Sequence, residues 1–534
     1  MKQLTLIVLL FLTHAAVTHA QFKVLAEGPV FEEPEDGYAR ILQLKNGNTI
    51  FFHITLKKGI DVKVYDAKHK SKAEKHIEPQ YGKLKSSSVE GIFEINGDAA
   101  VFISEVDDKK PVLYRLIVDG TTGTLKKEEQ IAELKKLTMG QGYAMAFGGV
   151  SVPDFYIRKD PNSDTYALAM FNSFESDRSK RIEIVLYGAD HKEISRAYYS
   201  SPDEKFKYMK YIDMAVIGQD KVSVVAYAYN TRSSGGKESE LVLATLDKGK
   251  KEVSLEELRF SKDMVVDGGI ARYNPATKDV ILLASVRAND KRNSPYEIVL
   301  AFIDPFSGAV TKSDRIYPEK ANEKSMELFG KKDGFTGMPQ NLFINNDGSF
   351  SIVYEETKVI TRSGSSYSIT STELGHIAVS KFNTEGEEVN TYFIPKRQLL
   401  PETYLTTFYH SLREGSAQTL FNGNQFKSFA YLNTPSNIYV LFNDIERNGE
   451  SALKGKLTTI QGVGECDGFY YKLNAKDILP ARDFVFGQPE GKREHNLALF
   501  AISDYDREKN VYVTLKLEKD GREKGVKVVW LQPK

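Results

Sequence analysis

Apolar residues in this chain alternate with polar ones or gather in short runs, as in Ala99-Ala-Val-Phe-Ile103, Val222-Ser-Val-Val-Ala-Tyr-Ala-Tyr229 and Val280-Ile-Leu-Leu-Ala-Ser-Val286. Short β-branched and aromatic runs bounded by turn residues are the pattern of strands, and the longer spacing of a helix is rare here. One kind of turn precedes such a strand eight times: Asn46-Gly47, Asn96-Gly97, Asp160-Pro-Asn162-Ser-Asp164, Gly218-Gln-Asp220, Asn274 to Asp279, Asn345 to Gly348, Asn433 to Asn437 and Asp506 to Asn510. Asn, Asp, Gly and Pro fit because tight turns need positive φ or a side chain that bonds its own backbone. A second turn follows about 25 to 30 residues later, a phase set by strands of ordinary length. Val118-Asp119-Gly120, Leu246-Asp247, Ile303-Asp304 and Phe382-Asn383 are examples.

Two hairpins per unit make four antiparallel strands, and such a sheet cannot cover both of its faces alone. Stacking the units radially does so and leaves short, protected edges. The expected fold is therefore all-β: a single β-propeller over 21–534, with eight four-stranded blades and seven as the alternative. The last unit offers three strands, Asn496 to Ser503, Val511 to Leu517 and Gly525 to Leu531. A spare strand at Gln21 to Ala26 is placed to complete it and close the ring. WD, kelch and NHL words are absent, and at the level of architecture the chain resembles secreted bacterial β-propeller proteins. That resemblance implies the fold and a rigid ring of loops; fold alone implies no activity. One helix is expected between the sixth and seventh units, where Leu405, Phe408, Tyr409 and Leu412 follow helical spacing between Pro401 and Gly415. It would cap one mouth of the ring.

The first twenty residues read as a secretory signal. Lys2 precedes the apolar run Leu4 to Leu12, and Thr18-His19-Ala20 offers a cleavage site ahead of Gln21. No later stretch is long and apolar enough to span a bilayer, so no integral membrane segment is expected after cleavage. One cysteine and no Asn-x-Ser/Thr sequon suit a Gram-negative source, with the periplasm expected first and the extracellular space second. The 72 basic residues balance the 72 acidic ones, which removes any general electrostatic case for nucleic acid. A monomer is expected.

The common catalytic signatures are missing: there is no His-Glu-x-x-His, no Gly-x-Ser-x-Gly elbow and no Walker loop. No catalytic residue, metal or cofactor is therefore assigned. Asp160, Asn162 and Asp164 have calcium-loop spacing, but a hairpin turn explains them equally. Cys466, between Glu465 and Asp467, reads as an inert thiol, because acidic neighbours raise its pKa. The loops between second and third strands carry arginines, namely Arg178, Arg232, Arg287, Arg292 and Arg362. In a propeller these loops share one face with the linkers between blades, including Met139 to Tyr143 and Gly334 to Asn341. Loops on a rigid scaffold are where function concentrates, and the arginine fork suits carboxylate, phosphate or sulfate. The same arginines also read as solvated loop tips. The expected function is a non-enzymatic scaffold binding a peptide, glycan or protein partner on that face. The alternative is a carbohydrate-active hydrolase or lyase, with Asp154, Asp213 and Asp267 as candidate mouth acids.

Overall fold

A half-buried strand buries every second side chain, whereas a strand sandwiched between two neighbours buries both faces. Both kinds occur here. Tyr166–Phe171 and Lys221–Tyr229 are buried throughout, while the outermost strand Ser71–Ile77 is exposed along most of its length. The computed structural model describes residues 22–80, 84, 87–148, 150–199, 205–230, 238–288, 296–330, 334–363, 368–405, 407–410, 415–474, 479–491 and 493–534. The strands form eight antiparallel sheets. Blades 1 to 7 span 38–77, 87–133, 154–199, 208–258, 264–316, 338–394 and 430–484, and blade 8 spans 494–532. The chain is an eight-bladed β-propeller, and seven blades are excluded.

The two faces of each sheet serve two different interfaces. In Thr49–Thr55, Ile50, Phe52 and Ile54 enter a cluster shared with blade 2, while Phe51 points the other way into a cluster shared with blade 8. Eight such apolar clusters occur, one between each pair of neighbouring blades. Each fully buried aliphatic or aromatic side chain contributes about 1.5–3 kcal/mol relative to its exposed form, so the ring is held by interfaces rather than by any single blade.

The N-terminal strand closes the ring as expected. Lys23–Glu27 pairs antiparallel with Glu523–Gln532 and forms the outer strand of blade 8. Phe22 packs against Tyr439 and Tyr470 of blade 7, at centroid distances of 5.1 and 4.8 Å. Blade 8 and blade 1 meet at the sole tryptophan, Trp530, whose Nε1 donates to Thr49 Oγ1 at 3.0 Å. The signal-peptide assignment to residues 1–20 lies outside the described residues.

All eight turns of the first kind and the second turns emerge on one side of the ring, called here the hairpin side. The linkers between blades and the loops joining second to third strands emerge on the other, the linker side. Two expectations on the linker side are corrected. The described part of 401–415 is a series of turns, not a helix; Glu402 and Phe408 within it have φ +54° and +64°, left-handed values that no helix interior accepts. Conversely, the glycine-rich linker at Met139 opens a helix, α1 (Met139–Gly148). Thr138 and Gln141 cap it reciprocally: Gln141 Oε1 accepts from Thr138 N at 2.8 Å, and Gln141 N donates to Thr138 Oγ1 at 3.4 Å. A second helix, α2 (Glu319–Phe329), lies between blades 5 and 6, and a third, α3 (Arg447–Leu453), lies within the linker-side insertion of blade 7. Among the described residues, no helix is long and apolar enough to cross a membrane.

Candidate functional site: the linker-side face and channel mouth

The first strands of blades 1 to 6 touch one another in succession around a central channel. Four of them contain a one-residue bulge, between Val89 and Gly91, Tyr211 and Asp213, Val266 and Gly268, and Pro339 and Asn341. A bulge breaks the alternation and re-aims the extra residue. The re-aimed residues are Glu90, Ile212, Asp267 and Gln340. Deeper in, the buried Asp213 receives Arg158, Arg272 Nη1 at 2.7 Å and the Ala271 amide at 2.9 Å. Burial alone would raise this carboxyl; the two guanidiniums overcome it and hold Asp213 below the usual aspartate range. Asp213 is thus a structural anion tying blades 3, 4 and 5. At the hairpin-side mouth, Lys45 of blade 1 meets Asp164 of blade 3 at 2.6 Å, and Arg507 of blade 8 donates to Asn346 of blade 6 at 3.0 Å. Each contact skips a blade, so these turns lean across that opening.

The described parts of 401–421, called here the strap, lie on the linker side against blades on opposite sides of the ring. Phe408 N donates to Pro339 O of blade 6 at 3.2 Å. Gly415 O accepts from Ile92 N of blade 2 at 2.5 Å, which is half-way round the ring. Gln418–Thr419 then adds a short strand to the inner edge of blade 1, pairing with Ala39 and Tyr38. Only glycine fits at 415, since a Cβ there would come within 2.0 Å of the Phe93 ring. One end of the strap is anchored by Tyr409, which donates to Glu355 Oε2. The fully buried Lys396 Nζ lies 2.5 Å from the other carboxylate oxygen of Glu355.

Beside the strap, Glu90 and Asp154 occupy the first strands of blades 2 and 3. Ser104 Oγ donates to Glu90 at 2.5 Å. No described cation is among the groups acting on either carboxyl. Burial raises both, and burial followed by the Glu90 charge pushes Asp154 up to about 6. The phenols of Tyr38 and Tyr156 are raised as well, first by burial and then by these carboxylates. Tyr156 stacks on Tyr211 with centroids 3.8 Å apart. A half-buried carboxyl that titrates near 6 beside a second one has the make-up of an acid–base pair.

Three of the five arginines singled out in the sequence are described, all on linker-side loops or the strand ends leading into them. Arg178 opens a short 3-10 turn in blade 3, capped by Asp177 through Ser179 N at 3.1 Å. Arg287 ends a strand of blade 5 and lies 4.9 Å from the Tyr296 ring centroid. Arg362 is exposed on the long hairpin of blade 6, whose strands are 14 and 15 residues long and project well beyond the ring. Arg232 and Arg292 lie outside the described residues. Arg181, which ends the same arginine-bearing loop as Arg178, and Lys207 were not among the five. With Arg178, Asn172 and Ser173 they line a small cleft that opens to solvent between blades 3 and 4, over an apolar floor that includes Phe206 and Met209.

Two other candidates resolve into structure. Asp160 accepts from Asn162 N at 2.9 Å, Ser163 Oγ at 2.6 Å and Gly218 N at 3.0 Å, while Asp164 is taken by Lys45 and Asn96 N. These oxygens order a turn. Cys466 is buried, and burial, followed by the charges of Asp444 and Asp467, pushes its thiol up to about 12.

No protein-family model and no curated protein sequence matches the chain. Among solved structures, it is similar to a prolyl endopeptidase, at 11% identity over 78% of this chain and 56% of that one, with a TM-score of 0.33. The chain thus spans little more than half of that enzyme's length. Polysaccharide lyase Uly1 matches at 9% identity over 84% of this chain and 90% of that one, with a TM-score of 0.38. An α-L-arabinanase of Penicillium chrysogenum matches at 12% identity over 86% and 99%, with a TM-score of 0.32. Identities this low speak to the fold alone.

Proposed function

We propose that this chain is an exported, non-enzymatic binding module whose linker-side face holds a peptide, glycan or protein partner. The observation that carries this reading is the uneven placing of exposed apolar side chains. Met139, Tyr143, Val152, Tyr404, Phe421 and Leu453 are all exposed on linker-side elements. Among the described turns of the hairpin side, Phe306 alone is a large exposed hydrophobic. Exposed apolar groups collected on one side of a soluble scaffold mark interaction surfaces, and aromatic and methionine side chains are favoured there. Arginine-bearing loops on the same side add polar anchors. The first twenty residues support export, with the periplasm ahead of the extracellular space.

A second reading, cleavage of a carbohydrate, is favoured by one observation: the raised carboxyls of Glu90 and Asp154 at the channel mouth, on which no described cation acts. One experiment separates the two. The mature protein is applied to glycan and peptide arrays, and captured ligands are incubated and weighed by mass spectrometry. Capture with the ligand unchanged supports the binding module. Ligand cleavage that is lost in Asp154→Asn would replace it with the enzyme.

A further inference from the structure

We infer that the cleft between blades 3 and 4 is an oxyanion subsite, shaped to take one carboxylate or sulfate group of a ligand held on the linker side. This deepens the binding reading and rests on it. The cleft joins positive charge to unmet hydrogen-bonding capacity. Arg181 is fixed in place: its Nε donates to Glu175 O at 2.8 Å and its Nη1 to Lys207 O. Two of the five guanidinium N–H groups are used in this way, which leaves three for a ligand. Lys207 Nζ lies 5.2 Å from the Tyr208 ring centroid, and no described carboxylate pairs with it. Arg178 is already engaged, so it enters as a wall charge.

Asn172 and Ser173 are more than nine-tenths buried and line the same cleft, yet Asn172 Oδ1 and Ser173 Oγ have no hydrogen-bond partner. Buried polar atoms are nearly always satisfied, and an unsatisfied one asks for a ligand or a water. The Ser173 hydroxyl can donate to an oxyanion, and a rotated Asn172 amide can do the same. The nearby acids are spent elsewhere. Glu175 pairs with Lys135 at 2.5 Å, and Asp177 pairs with Ser179 and, at 3.5 Å, with Lys180. Burial lowers Arg181 from the ordinary guanidinium value, and the neighbouring Arg178 charge adds to it, so an anion between them relieves both costs. The apolar floor lowers the local dielectric on one side of these charges and so strengthens their pairing with an anion. The lining, two cationic side chains beside two small polar ones, matches a single anionic group of a ligand rather than a helix or a duplex.

The test uses calorimetric titration of the mature protein at low ionic strength with methyl glucuronide, methyl sulfate and the neutral methyl glucoside. The expected result is saturable uptake of one or both anionic probes and none of the neutral one; the two anionic arms separate carboxylate from sulfate. Lys207→Gln should weaken uptake at least tenfold and Ser173→Ala at least threefold, with melting curves superposing on the wild type. Lys180→Gln removes the same charge from the neighbouring blade 3 loop, where the side chain does not line the cleft, and should stay within twofold. No saturable uptake of either anion, or an equal loss in Lys180→Gln, overturns the subsite. An array ligand that binds wild type and Lys207→Gln alike removes the subsite and leaves the binding module. Anion uptake with no array ligand at all does the reverse.

Discussion

Asp154 shows what the channel mouth costs the fold. Its carboxyl is raised from the ordinary value near 3.8 to about 6, so the folded state holds this proton more tightly than the unfolded chain does. An acid shifted upward is neutral at no cost below the unfolded value. Its penalty grows as pH rises from about 4 to about 6 and is complete above that. A shift of about two units corresponds to at most ~3 kcal/mol, less after allowing for its partial exposure. Asp154→Asn keeps the shape and the Phe155 N contact, at 2.9 Å, while removing the charge. The variant is expected to be ~1–3 kcal/mol more stable than wild type at pH 7 and no more stable at pH 4, as read by denaturant melts at the two pH values. Equal stability at pH 7 would mean that the carboxyl is not buried as described. Glu90 was invisible in the sequence for a physical reason: it is the extra residue of a bulge, and a bulge breaks the alternation from which facing is read. The arginines were visible as residue types, but Lys207 and Ser173 were not, because a cleft is assembled from a loop and a linker that sequence spacing does not relate.

At the scale of elements, the hairpins were legible and the crossings were not. Turn chemistry is local: Asn46-Gly47 and Asn96-Gly97 announce positive φ, and the structure has both glycines above +80°. Strand Phe350–Ser363 shows where local reading stops, since nothing in its composition says that it outgrows its blade. The strap shows the same limit. Apolar residues at helical spacing in 401–415 serve separate contacts, with Phe408 packing near Gly268 of blade 5 and Leu405 beside a small cluster of Leu374, Leu400 and Tyr409. Tertiary contacts override a weak period. Conversely, α1 forms in a linker that Gly140 and Gly142 make look irregular, because Thr138 and Gln141 cap its first turn. Gly415 is the strap's most constrained position. Gly415→Ala introduces a side chain at φ +75° and against Phe93, and should destabilise by about 1–3 kcal/mol or more through strain and clash. Thermal melts of that variant beside Gly423→Ala provide the comparison, since a Cβ at 423 meets only Val463 at 3.9 Å. A Gly415→Ala loss no larger than that of Gly423→Ala would mean that the strap does not lie against blade 2.

The whole molecule is a ring with one seam, and the seam is where chain ends meet. Blade 8 takes its outer strand from Lys23–Glu27, so removing 21–28 exposes the edge of Glu523–Gln532 and uncovers Tyr439 and Tyr470. The lone tryptophan makes the seam observable. Trp530 is fully buried between Tyr65 at 5.1 Å and His69 at 4.8 Å, both in blade 1. The truncated protein is expected to melt at least ~5 °C lower, with red-shifted tryptophan emission before the main transition; loss of a strand and its aromatic contact amounts to several kcal/mol. Unchanged emission and melting would contradict closure by this strand.

The ring also separates two chemistries. On the hairpin side, charged turns pair with one another across the mouth. On the linker side lie most of the exposed aromatics, the strap and the basic cleft. The most direct test of this division is amide hydrogen exchange of the mature protein with and without a partner captured from the arrays. The account predicts slowed exchange at 172–181, 205–210 and 415–421, and no change in the turns at 44–48 and 160–165. Protection centred on those hairpin-side turns, with the linker side unaffected, would contradict it.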